Sequence, residues 1–133
     1  IGNCRIPPEL WKAMVAAPRV TIAAPRSARA AYLTRAYADL TADTARLAAT
    51  VDLLRPMHPR DRIADWQAMA AAGDFAALAD SLMELHYDQR YAKHRARMPH
   101  PKATVTAERL EVADLPDVAA AVARAVQDLA RQP

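Results

Sequence analysis

At 133 residues the chain has the length of one domain, and 53% apolar residues suffice for a single modest core. Alanine dominates that apolar content while aromatics make up 5% and glycines number two, which favours closely packed helices over a sheet-rich fold. The net charge of +3 is too small to define a partner, and the single cysteine, Cys4, excludes an internal disulfide and any paired-cysteine zinc pattern, pointing to a reducing, cytoplasmic setting.

Pro7-Pro8-Glu9 is a helix start, and Leu10, Trp11, Met14 and Val15 give the turns that follow an apolar stripe until Pro18 stops it. Residues 19–24, β-branched and closed by Pro25, read as the best strand. From Arg26 the pattern is helical, with Leu33, Tyr37 and Leu40 on one face. Arg26 and Arg29 stand just after the strand at a helix N-terminus, where anions are commonly held; both are candidate phosphate ligands, or else solvated arginines.

Thr41 is a candidate N-cap for a helix carrying Leu47, Val51 and Leu54, which Pro56 and Pro59 end. Arg55, His58, Arg60 and Arg62 add a cationic patch at that break. Ile63, Trp66 and Ala70 then recur at helical spacing, Gly73 is a C-terminal stop, and Asp74 caps the next helix. Phe75, Leu78, Leu82 and Leu85 form the strongest amphipathic pattern in the chain, a face for the core. A second strand is expected over residues 104–112. Asp114-Leu115-Pro116 opens a last helix through Leu129, with Val118, Val122, Ala125 and Val126 on its apolar face.

The charges are segregated into blocks. Residues 1–62 carry net +5, residues 63–89 net −5, residues 90–107 net +5 and residues 108–133 net −2. The second basic block holds Arg90, Lys93, Arg95, Arg97 and Lys102 with no acid, directly behind Tyr87 and Tyr91. Cations that hold phosphates beside rings that stack on bases suit RNA. The alternative is a solvated helix end whose cations pair with the acidic block or the helix dipole. Asp88, between the tyrosines, is expected to orient Arg90 or accept a tyrosine hydroxyl, a structural role.

Other chemistry finds little footing. Gly2 and Gly73 precede no Lys-Ser/Thr pair, so the chain has no phosphate loop of the GxxxxGK[ST] type. His58, His86, His94 and His100 are scattered, without metal-ligand spacing, and no metal site is expected. No stretch reaches the roughly 20 apolar residues of a membrane span, and no succession of basic, apolar and small residues marks a secretion signal within these residues. The first residue, Ile1, is not an initiator methionine, so either a processed or excised piece or a chain with residues missing in front of it is expected.

Several of these segments fall into a known order. Ile1-Gly2-Asn3 with Ile6-Pro7-Pro8-Glu9-Leu10-Trp11-Lys12-Ala13-Met14, then Arg19-Val20-Thr21-Ile22-Ala23-Ala24-Pro25-Arg26-Ser27-Ala28-Arg29, resemble the corresponding segments of bacterial tRNA 2-selenouridine synthase. His86-Tyr87-Asp88-Gln89-Arg90-Tyr91 is similar to the family's most specific element, with Gln89 where proline is common; Ala23 stands where glutamate is common. The resemblance implies the distal part of an α/β P-loop NTPase-like domain, mainly α with one or two short strands, as a single domain over residues 1–133.

It also implies partners and chemistry. The family enzyme joins a rhodanese-like domain to a P-loop domain and replaces the sulfur of wobble 2-thiouridine in tRNA with selenium, through a geranylated intermediate, using selenophosphate and geranyl diphosphate. This chain lacks the rhodanese cysteine loop and the glycine loop and would hold no cofactor of its own. By resemblance Arg29 meets a phosphate, with Arg26 beside it, and Tyr87, Asp88 and Tyr91 are structural or tRNA-facing. The expected tRNA contacts are Tyr87, Arg90, Tyr91, Lys93, Arg95, Arg97 and Lys102. Self-association to cover a sheet edge is a further expectation, and a stand-alone helical interaction or RNA-binding module without catalysis is the competing reading.

Overall fold

The computed structural model describes residues 6–96, 98 and 100–131. They form a mainly helical fold with a two-stranded parallel sheet. Helix α1 (Pro8–Ala16) begins at the expected prolines and buries none of its residues, leaving Leu10, Trp11 and Met14 exposed. Strand β1 (Val20–Ala23) lies where β-branched residues and Pro25 put it. Its partner β2 (Ala103–Thr106) runs parallel to it, in register from Val20 opposite Ala103 to Ala23 opposite Thr106.

The second strand is shorter than the sequence pattern predicts. The last rung is the Ala107 amide donating to the Ala23 carbonyl at 2.8 Å. Beyond it Pro25 turns β1 into helix α2 (Arg26–Ala36), so residues 108–112 have no strand to pair with. Arg35 holds them in a loop instead, donating to the Leu110 carbonyl at 2.8 Å and to the Glu111 carboxylate at 3.0 Å. The apolar alternation of Leu110 and Val112 therefore does not mark a strand.

A second correction concerns the Thr41 cap. Tyr37 breaks the helical pattern (φ −113°, ψ 28°), a short α3 (Ala38–Thr41) follows, and α4 (Thr44–Asp52) is capped by Asp43, whose carboxylate accepts from the Arg46 amide at 2.9 Å. The Thr41 hydroxyl bonds back to the Ala38 carbonyl. An aspartate cap satisfies a free amide and places negative charge at the helix N-terminus, so it wins over the threonine two residues earlier.

A 3₁₀ turn (Arg55–Met57) leads to α5 (Arg60–Ala71). Gly73 then takes φ +73°, which releases the chain for Asp74 to cap α6 (Phe75–Leu82). Leu47, Val51, Ile63, Trp66, Ala70 and Leu78 pack together as the core among α4, α5 and α6. Trp66 is fully buried, and its indole N–H donates to the Ser81 hydroxyl at 2.8 Å, so its one polar atom is satisfied inside the protein. The last helix, α8 (Leu115–Ala130), packs against both strands.

The helix expected from Phe75 through the tyrosines is not uniform. After α6 the backbone widens into a π turn (Met83–Tyr87) before α7 (Asp88–Arg95). Residues four apart on an α-helix drift by about 40° around the axis. A π turn advances fewer degrees per residue and counteracts that drift. Asp80, Glu84 and Asp88, spaced four apart, thus remain in reach of a single neighbouring helix, α2.

Candidate nucleic-acid interface

The two basic regions of the sequence have different fates. Arg26 donates to Asp80 at 2.8 Å and lies 2.9 Å from Glu84. Arg29 grips Asp88 with both ends of its guanidinium, at 2.6 and 2.8 Å. The acidic block thus answers α2, and the two arginines expected to hold phosphate are each engaged by carboxylate. Asp88 meets neither Arg90 nor a tyrosine hydroxyl through its carboxylate, contrary to expectation; it anchors the start of α7 to α2. Hydrogen bonds from Arg29, opposed by partial burial, hold the Asp88 carboxyl below its ordinary value.

The cations of α7 are not answered in this way. Among the described residues no carboxylate lies within ion-pair distance of Arg90, Lys93, Arg95 or Lys102. All four are exposed. Three of the five acids of residues 63–89, Asp80, Glu84 and Asp88, are engaged by α2, and Asp74 caps α6. Arg97 lies outside the described residues.

These cations do not form one stripe. Arg90 turns toward the 3₁₀ turn, donating to the sulfur of Met57. His94 faces Trp11 of α1, ring to ring at 5.8 Å. Arg95 lines a cleft bounded by β1 and α8. Lys102 precedes β2, and its amide donates to the Arg19 carbonyl at 2.9 Å, which brings Lys102 beside a cation the sequence reading did not single out. The positive charge surrounds the end of α7 and continues onto the start of the sheet.

Tyr87 and Tyr91 are 46% and 59% exposed, one turn apart, enough to present ring faces. They stand with Arg29 and Asp88 on the rim of a groove of about 460 Å³, walled by Leu33, Leu54, Phe75 and Leu82. Tyr87 also packs on the edge of His86 at 4.9 Å.

Two of the four scattered histidines meet. His58 Nε2 and His86 Nδ1 are 2.8 Å apart, and the His58 ring stands edge-on to Trp66 at 4.8 Å. A bond between two imidazoles needs one ring as donor and the other as acceptor, so at least one ring of the pair is neutral. Burial lowers both pKa values; the charges of Arg62 and then Arg90 lower that of His58 further, and those of His58 and then Arg90 lower that of His86. Their separation of 28 residues gave no sequence signal. Among the described residues no group of three or more His, Cys, Asp or Glu side chains forms a metal site, and no helix is long and apolar enough to cross a membrane.

No family model, curated protein or solved structure matches this chain.

Proposed function

We propose that the chain is the C-terminal part of a cytoplasmic tRNA 2-selenouridine synthase, the distal portion of its P-loop NTPase-like domain, and that it supplies tRNA contacts. In this reading the rhodanese-like and glycine-loop segments, with selenophosphate and geranyl diphosphate, belong to the rest of the enzyme. Arg90, Lys93, Arg95, Arg97 and Lys102 meet tRNA phosphates, and Tyr87 or Tyr91 stacks on a base. Arg26 and Arg29 stand at the phosphate side only when their carboxylate partners release them.

The observation that carries the reading is the contrast between the two basic regions. Arg26 and Arg29 have carboxylate partners, whereas Arg90, Lys93, Arg95 and Lys102 are exposed without one among the described residues, next to two half-exposed tyrosines. Unpaired cations beside accessible rings are what phosphate neutralisation and base stacking require. The test is an affinity measurement for tRNA across a salt series. Five phosphate contacts give a log–log slope on the order of −3 to −5. Binding that does not change with salt overturns the proposal.

A second reading, a helical module that docks on a protein, has one observation in its favour. Helix α1 leaves Leu10, Trp11 and Met14 exposed, with Ile6 before it. On α6, Leu78 is buried and Phe75 and Leu82 pack partly on the core while also walling the groove beside Tyr87 and Tyr91. Homo-oligomerisation through α1 is the form of this reading that sedimentation of the chain alone would detect.

A further inference from the structure

A cleft of about 1020 Å³ opens between α7, β1 and α8. It lies at the upper end of the roughly 300–1,000 Å³ range of small-molecule sites. Two of its walls differ in chemistry. Arg19 from the start of β1, Arg95 from the last turn of α7 and His100 line one part, and among its described lining residues there is no carboxylate. Val122, Val126 and Leu129 of α8 line the other. A ligand that fits must carry an anion on one side and present an apolar surface on the other.

A nucleotide meets both conditions. Its phosphate takes donors from guanidinium groups, and the face of its base lies against aliphatic side chains. We infer that this cleft receives one unpaired nucleotide of a bound RNA, with the phosphate on Arg19 and Arg95 and the base against Val122, Val126 and Leu129. The inference rests on the RNA-binding reading above and deepens it, because Arg95 belongs both to the exposed cations of α7 and to the cleft. A base already paired and stacked in a duplex has no free face to offer, so the cleft selects single-stranded segments and loops. Arg19 thereby joins the interface, although nothing in its sequence context marks it.

The experiment titrates the full chain with a labelled single-stranded RNA of about ten nucleotides, and with the same sequence as a duplex. Val126→Trp fills the cleft from an exposed helix position, and Arg19→Gln removes the phosphate donor without adding bulk. Circular dichroism confirms that each variant folds. Each is expected to weaken single-strand binding about tenfold, the loss of one accommodated base, and to weaken it by clearly more than it weakens duplex binding.

Wild-type affinity for the single strand in both folded variants overturns the cleft while leaving salt-dependent tRNA binding intact. If the wild-type chain binds no RNA, the broader reading fails, and uridine monophosphate added to methyl-labelled protein decides the cleft separately. Shifts confined to Val122, Val126 and Leu129 methyl groups retain it as a nucleotide site, and their absence rejects it. Loss of self-association in Val126→Trp, with RNA binding unaltered, also rejects it by assigning the face to a second copy of the chain.

Discussion

Arg29 and Asp88, 59 residues apart in sequence, meet in a two-pronged ion pair that joins the second helix to the first residue of the seventh. Their side chains are 33% and 36% exposed. Solvent screening therefore limits the pair to about 1 kcal/mol, even with bidentate geometry. A double-mutant cycle with Arg29→Ala and Asp88→Asn should return a coupling energy of that size from urea unfolding at neutral pH.

The same pair has a pH signature. The Asp88 pKa is lowered from its ordinary 3.8 in the folded state, so the unfolded chain binds the proton more readily. Its contribution is fully present above the unfolded value and is lost as pH falls through the lowered one. The stability difference between wild type and Asp88→Asn should be constant near neutrality and shrink below about pH 4. A difference that persists unchanged in acid would remove the ion pair as its cause.

The histidine pair predicts a second, separate pH window. Burial lowers the pKa of both His58 and His86 from 6.5, so the unfolded state again takes up protons first. Stability is complete above the unfolded value and declines as pH falls below it. His86→Gln keeps a hydrogen-bonding group but cannot titrate, and its melting temperature should vary less between pH 7 and pH 5 than that of wild type. Imidazole proton shifts followed by NMR should give midpoints below 6.5 for both rings.

Trp66 is the largest side chain in the core and fully buried. Trp66→Ala leaves a cavity and strands the Ser81 hydroxyl, and a loss of about 3–5 kcal/mol is expected. Trp66→Phe should cost less, with the indole hydrogen bond accounting for about 1 kcal/mol of the loss. Chemical denaturation followed by circular dichroism separates the two.

Charge reversal on α7 tests the interface without touching the core. Lys93→Glu and Arg95→Glu replace exposed cations that have no carboxylate partner among the described residues, so stability should stay within about 0.5 kcal/mol of wild type. Each should lower tRNA affinity several-fold at roughly 0.1 M salt and flatten the salt slope by about one. Arg46→Glu, on α4, serves as the control for net charge, its stability being measured as well because Arg46 lies 4.0 Å from Asp39.

Much of this organisation was legible in the sequence because it is local. The prolines around α1, the β-branched run of β1, Gly73 with Asp74, and the apolar spacing of Phe75, Leu78 and Leu82 each act within a few residues. What escaped is non-local. The strand after Ala103 stops because its partner turns away at Pro25, a fact absent from residues 107–112 themselves. Asp88 and Arg29 find each other only because a π turn resets the helix phase, and no propensity marks where an extra residue enters a turn. The exposed cations were visible as a run, but their dispersal around α7 and their continuation to Arg19 depend on the packing of β1 and β2.

The parallel pairing of β1 with β2 has a consequence for the order of assembly. Val20 and Ala103 are neighbours in the sheet, yet nearly the whole chain between them must be positioned before they can meet. The core of α4, α5 and α6 is built from segments close in sequence and can collapse early. Closing the sheet bears the larger loop entropy and comes late. Amide exchange should therefore protect the Trp66 region most strongly and release the β1–β2 rungs first, so that opening the sheet would loosen the cleft wall while the helical core stays folded.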